Sequence, residues 1–123
     1  MSQLTLETLT VTELVSRFAS LGIEEDEAYW KDQVAKRNRL RLQRFEIGKE
    51  LKKRPGDQRR ALLSLYDHPN LEVRLLAAKM TLAVEPQKAR QLIEAIAASH
   101  RFPQAGDAGM CLSMLDRGIF VPD

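Results

Sequence analysis

The sequence predicts an all-α protein, and three observations carry that prediction. Apolar residues recur at intervals of three and four along most of the 123 residues, and no segment shows the two-residue alternation of a half-buried strand. The stretch Ala61 to Val84, ALLSLYDHPNLEVRLLAAKMTLAV, spells helix, turn and helix in succession: Pro69 cannot continue the helix before it, and Asn70 can cap the helix after it. Punctuating residues elsewhere divide the chain into about six helical segments, expected as three antiparallel pairs.

The segment 1–9 is expected to be extended. Thr10 and Glu13 have the spacing of a capping box, and Leu9 and Leu14 that of a hydrophobic staple, so a helix is predicted from about Val11 to Leu21. Its inward stripe is Leu14, Val15, Phe18 and Leu21, with Gly22 as a left-handed stop and Ile23 folding back on Phe18. The acidic run Glu24-Glu25-Asp26-Glu27 is predicted to open a second, long helix that reaches Lys53 or Arg54, where Pro55-Gly56 breaks it. Asp57 is placed to cap a third helix through Leu65 or Tyr66. The second arm of the hairpin follows Asn70, with Val73, Leu76, Ala77 and Met80 inward. Pro86 suits the first turn of a helix to about Ser99 with Ala89, Leu92, Ile93, Ile96 and Ala97 inward. The last helix runs from Pro103 to Arg117, with Ala105, Ala108, Leu112 and Leu115 as its contact face. Gly118 ends it, and the tail 119–123, with Ile119, Phe120 and Val121, is expected to fold back onto the body.

Length and composition suit a single domain over 1–123. Cys111 is the only cysteine, so no intramolecular disulfide forms and no structural zinc set exists, which fits a reducing compartment. No apolar run approaches the roughly 20 residues of a membrane span, and MSQLTLETLTVTELV has no basic region followed by an apolar core. The cytoplasm is therefore the expected compartment.

The net charge of +2 hides a segregation. Residues 1–30 carry six acids against Arg17 alone, and from Lys36 to Arg60 there are eleven bases against three acids. Helix-end preferences account for part of this. On a wheel of 3.6 residues per turn Leu40, Ile47 and Leu51 form one apolar strip, and Val34, Leu42 and Phe45 a second about 120° or more away. Arg37, Arg41 and Arg44 lie between the two strips. Such arginines must snorkel, pair with carboxylates, or line a surface that receives something anionic, and the first two readings are the structural ones. Trp30 is expected in the core, with anchoring of a partner as its functional alternative.

The run LLSLYDHPNLEVRLLAAKMTL resembles a HEAT-type repeat unit in its leucine-rich first helix, its Asp67, Pro69 and Asn70 turn, Val73-Arg74, and Ala77-Ala78. More widely, ELVSRFASLG, the NRL and GKEL segments, RRALLSLYDHPNLEVRLLAAKMTLAVEP and AGMCLSMLDRGIF are similar to a family of small bacterial proteins known only as a domain of unknown function with a HEAT-like α-α superhelix. The resemblance implies that fold, with helix pairs stacked as a short solenoid. It also implies structural roles for Asp67 and Arg74, which would brace adjacent turns.

Motifs for chemistry are missing: there is no Gly-rich phosphate loop, no HExxH pair and no nucleophile elbow, so no catalytic residue, metal site or cofactor is expected. Cys111 reads as a buried small hydrophobe, His68 and His100 as capping or solvated side chains, Asp107 and Asp116 as salt-bridge partners, and Gly106 and Gly109 as close-packing points. The expected function is that of a non-enzymatic protein-interaction module, of adaptor or toxin-neutralising type, that binds a protein partner on its solenoid face. Homodimerisation is expected from exposed end faces. The alternative is binding of nucleic acid or another polyanion through the basic segment 36–60, against which stand the small net charge and the few aromatics near the arginines.

Overall fold

The computed structural model describes residues 3–123, with side chains from Thr5 onward. The described residues are all-helical: α1 (Gln3–Glu7), α2 (Val11–Trp30), α3 (Val34–Lys53), a 3-10 helix (Gln58–Leu65), α4 (Leu71–Met80), α5 (Pro86–Ala97) and α6 (Gln104–Asp116). The chain divides into two compact units, Met1–Ala61 and Leu62–Asp123, with the division falling inside the 3-10 helix.

In the first unit α2 and α3 form an antiparallel hairpin of two 20-residue helices, and α1 packs on α3. The capping box at the start of α2 is complete: the Thr10 hydroxyl accepts from the Glu13 N–H at 3.1 Å, and the Glu13 carboxylate accepts from the Thr10 N–H at 3.0 Å. That pair of bonds holds the Glu13 carboxyl below the usual carboxylate range. Two expectations fail here. Gly22 does not stop the helix, and the acidic run does not open one; α2 continues through both and ends at Trp30. The reason lies in the buried stripe Leu14, Phe18, Leu21, Glu25 and Ala28, whose spacing of four, three, four and three continues unbroken across Gly22. The stop comes at Asp32, in the left-handed region at φ 55°, where the Asp32 N–H bonds to the Tyr29 carbonyl and the Gln33 N–H to the Ala28 carbonyl. These two bonds close a Schellman motif, and the next helix begins at once.

Within the N-terminal segment Gln3–Glu7 is likewise helical rather than extended, and residues 1 and 2 lie outside the described residues. Leu6 is buried, and the Arg54 guanidinium at the end of α3 donates to the Leu6 and Leu9 carbonyls at 3.1 and 2.8 Å, so α3 supplies partners for the carbonyls that so short a helix leaves open. Arg54 also binds Glu50 at 2.6 Å, and Lys53 joins Glu7 and Glu50 at 3.2 Å each. Glu50 is buried, yet its carboxyl is held below the ordinary range, chiefly by the Arg54 hydrogen bond.

The segment after Pro55-Gly56 is 3-10 rather than α. Gly56 and Asp57 take φ values of 79° and 51°, and the Asp57 carboxylate is committed to the Arg59 N–H and guanidinium at its entry.

In the second unit α4, α5 and α6 pack mutually. Leu71, Leu75, Ala78, Leu82, Ala89, Ile93, Ile96, Ala108 and Cys111 make one buried cluster, with Tyr66, Leu92, Leu112 and Leu115 half-buried against it. Asn70 caps α4 by accepting from the Val73 N–H at 3.2 Å, and Pro86 occupies the first turn of α5. The Thr81 hydroxyl shares its proton between the Ala77 and Ala78 carbonyls at 2.9 and 3.1 Å, so it accepts from the Tyr66 hydroxyl. Burial pushes the Tyr66 phenol up. Lys79 meets Asp107 at 2.7 Å and Arg90 meets Asp116 at 2.9 Å.

The tail departs from expectation. The Ile119 and Phe120 N–H groups do turn back to the Met114 carbonyl, but Ile119 and Val121 remain 55% and 73% exposed. The α6 glycines are not close-packing points either: a Cβ on Gly109 would meet nothing within 4 Å, and one on Gly106 only the Phe102 ring at 3.7 Å.

Candidate partner-binding surface

Helix α3 carries two apolar strips, and the hairpin buries one of them. Leu40, Ile47 and Leu51 are buried, whereas Val34, Leu42 and Phe45 are 68%, 64% and 42% exposed. Helix α3 packs against α2 and α1, and the side it leaves exposed is apolar and cationic rather than simply polar.

The three candidate arginines separate. Arg44 is buried, on the edge of the inward strip, and its guanidinium binds the buried Glu25 carboxylate with two bonds of 2.7 and 3.2 Å. The same guanidinium lies 5.9 Å from the centroid of the buried Phe18 ring and 4.9 Å from that of Phe45. It is a structural cation, removed from any surface role. Arg37 is half-buried, with its guanidinium 5.1 Å over the Tyr29 ring. Arg41 is exposed and makes no ion pair among the described residues.

Trp30 is not in the core. It is 67% exposed at the last position of α2, where the stripe that would have buried it has ended at Ala28. Its ring meets Tyr29 edge to face, with centroids 5.3 Å apart and planes at 85°. The tip of the hairpin thus brings Trp30, Tyr29 and Arg37 together, and the exposed strip of α3 continues from it through Val34, Arg41, Leu42 and Phe45.

Glu25 escaped the sequence reading because it sits in the acidic run. Its position at four residues from Leu21 and three from Ala28, on the stripe itself, was the available signal.

The repeat-turn residues lie in the second unit. Arg74 donates to the His68 carbonyl, and the His68 Nδ1 accepts from the Asn70 N–H at 3.0 Å, so this turn is braced by His68 and Arg74. Asp67 and Pro69 are exposed. Burial raises the Cys111 thiol above its ordinary value, which keeps it protonated. Among the described residues no three His, Cys, Asp or Glu side chains gather around a point where an ion could sit, and every buried side-chain nitrogen or oxygen has a hydrogen-bond partner. None of the described helices is long and apolar enough to cross a membrane.

Two all-helical units, in which every buried side-chain nitrogen or oxygen of the described residues is paired, define a small all-α protein. Residues 12–116 match the model of a domain of unknown function (DUF2019), and the chain belongs to that family. It is also similar to the protein RPA1889 from Rhodopseudomonas palustris CGA009, known from a crystal structure. The two are 54% identical, the match covers 96% of this chain and 98% of that one, and the TM-score is 0.94. A comparison with curated proteins gives no match.

Proposed function

We propose that this protein is a non-enzymatic interaction module that binds a protein partner through the tip of the α2–α3 hairpin and the exposed strip of α3. The observation that supports this reading is the run of exposed large apolar side chains, Trp30, Val34, Leu42 and Phe45, on one hairpin beside Arg37 and Arg41. Tryptophan and arginine are the residue types that dominate binding energy at protein interfaces, and Lys-rich polar helix faces are not built this way. Binding of a polyanion finds less support, because Arg44, Lys53, Arg54 and Arg59 each have a carboxylate partner within the same unit.

The test is affinity capture from cells that produce the protein, with wild type compared with a Trp30→Ser, Leu42→Ser double variant. Both side chains are exposed, so the variant retains the wild-type thermal melt. It should lose the specific protein that wild type recovers, while Met110→Ser, equally exposed on α6, keeps it. Equal recovery by wild type and double variant, or no specific recovery by either, refutes the reading.

A further inference from the structure

Resting on that reading, we infer that the partner presents an acidic amphipathic helix, which lies along the exposed strip of α3. Val34 lies about two turns before Leu42 and three before Phe45, so the apolar strip is roughly 16 Å long at 1.5 Å per residue. An apolar stripe on a helix is normally covered by another helix, which seats side chains at i, i+3 or i+4, and i+7 against it. Trp30, at the hairpin tip, adds a ring where such a helix would end.

The borders of the strip specify the charge of the occupant. Beside the exposed strip of α3 stand Arg37 and Arg41. The helix contains only two carboxylates, Glu46 and Glu50. Glu46 takes the Lys49 ammonium at 3.3 Å, and Glu50 is buried in its pair with Arg54. The strip is therefore hydrophobic with a cationic border and no carboxylate of its own to answer Arg41. A second copy of α3 laid against it would set cations against cations, and a basic or neutral helix would leave Arg41 unanswered. A helix with leucine-like residues on one face and Asp or Glu flanking them complements both features.

The test places a photoreactive phenylalanine derivative at position 42 of the full chain in producing cells, and the cross-linked segment is sequenced by mass spectrometry. The expected adduct is a protein segment rich in Asp and Glu, with apolar residues at spacings of three and four. Arg41→Glu should lower its yield about tenfold, and Arg41→Lys should largely preserve it, since a flanking charge mainly sets the rate of encounter. A protein adduct that is not acidic, or one indifferent to Arg41→Glu, overturns this inference and leaves the protein-binding reading standing. A second copy of the chain in the adduct overturns the inference as well. No protein adduct at position 42 overturns both.

Discussion

The Glu25–Arg44 pair is a buried ion pair inside the α2–α3 hairpin. Both side chains are almost fully shielded, at 3% and 6% exposure, so each charge has left water and is compensated mainly by the other. Arg44 has further support from the Phe18 and Phe45 rings, while Glu25 accepts two bonds from the one guanidinium. Removal of one partner strands the other charge in the hairpin. Glu25→Leu and Arg44→Met taken singly are each expected to cost about 3–5 kcal/mol in urea unfolding. The double variant restores an uninterrupted apolar stripe and should recover most of that loss, to within about 1 kcal/mol of wild type or beyond it. A double variant as unstable as the worse single one would mean that the pair fixes the hairpin in a way apolar packing cannot replace. The same reasoning separates Arg44 from Arg41. Three arginines at helical spacing are alike in the sequence, and only the carboxylate on the neighbouring helix decides which of them is structural.

At the scale of the element, the α2–α3 turn is made by a residue poorly suited to it. Asp32 occupies the left-handed position at φ 55°, which glycine adopts without penalty and which a Cβ makes unfavourable. Asp32→Gly is therefore expected to raise stability by about 0.5–1 kcal/mol, and Asp32→Val to lower it by about 1–2 kcal/mol, read as opposite shifts of the urea midpoint. This turn is also where sequence reading and structure part most clearly. The capping box at Thr10 and Glu13, the Asn70 cap, Pro86 and the inward stripes of α5 and α6 depend on short spacings, and all were legible. The break at 31–33 depends on an aspartate in a conformation usually marked by glycine, while the real glycine at position 22 sits inside a helix whose stripe passes through it. The boundary therefore moved by ten residues. For the candidate surface, the two strips of α3 and the arginines between them were read from the wheel. Which strip is buried was not, because that is settled by the partner helix; nor was the exposure of Trp30, which follows from where α2 ends.

Across the whole molecule, the charge segregation along the sequence largely cancels on folding. The acidic residues 1–30 and the basic residues 36–60 fall in the same unit, which holds thirteen bases and ten acids, a net of +3. The antiparallel hairpin and α1 bring the two blocks together, and Glu25–Arg44 and Glu7–Lys53 are direct joins between them. A polyanion gains affinity through counterion release, in proportion to the number of phosphates that the protein can neutralise. Four of the thirteen bases, Arg44, Lys53, Arg54 and Arg59, are already matched to carboxylates, and the net charge of +3 leaves only a small attraction for a polyanion. Duplex or single-stranded DNA of about 20 nucleotides is accordingly expected to show no saturable binding below about 0.1 mM protein at 0.15 M salt, the weak end of non-specific affinities. Fluorescence anisotropy of a labelled oligonucleotide measures this directly. Micromolar binding that falls steeply between 0.05 and 0.2 M salt and disappears in an Arg37→Ala, Arg41→Ala variant would instead assign the exposed α3 face to nucleic acid.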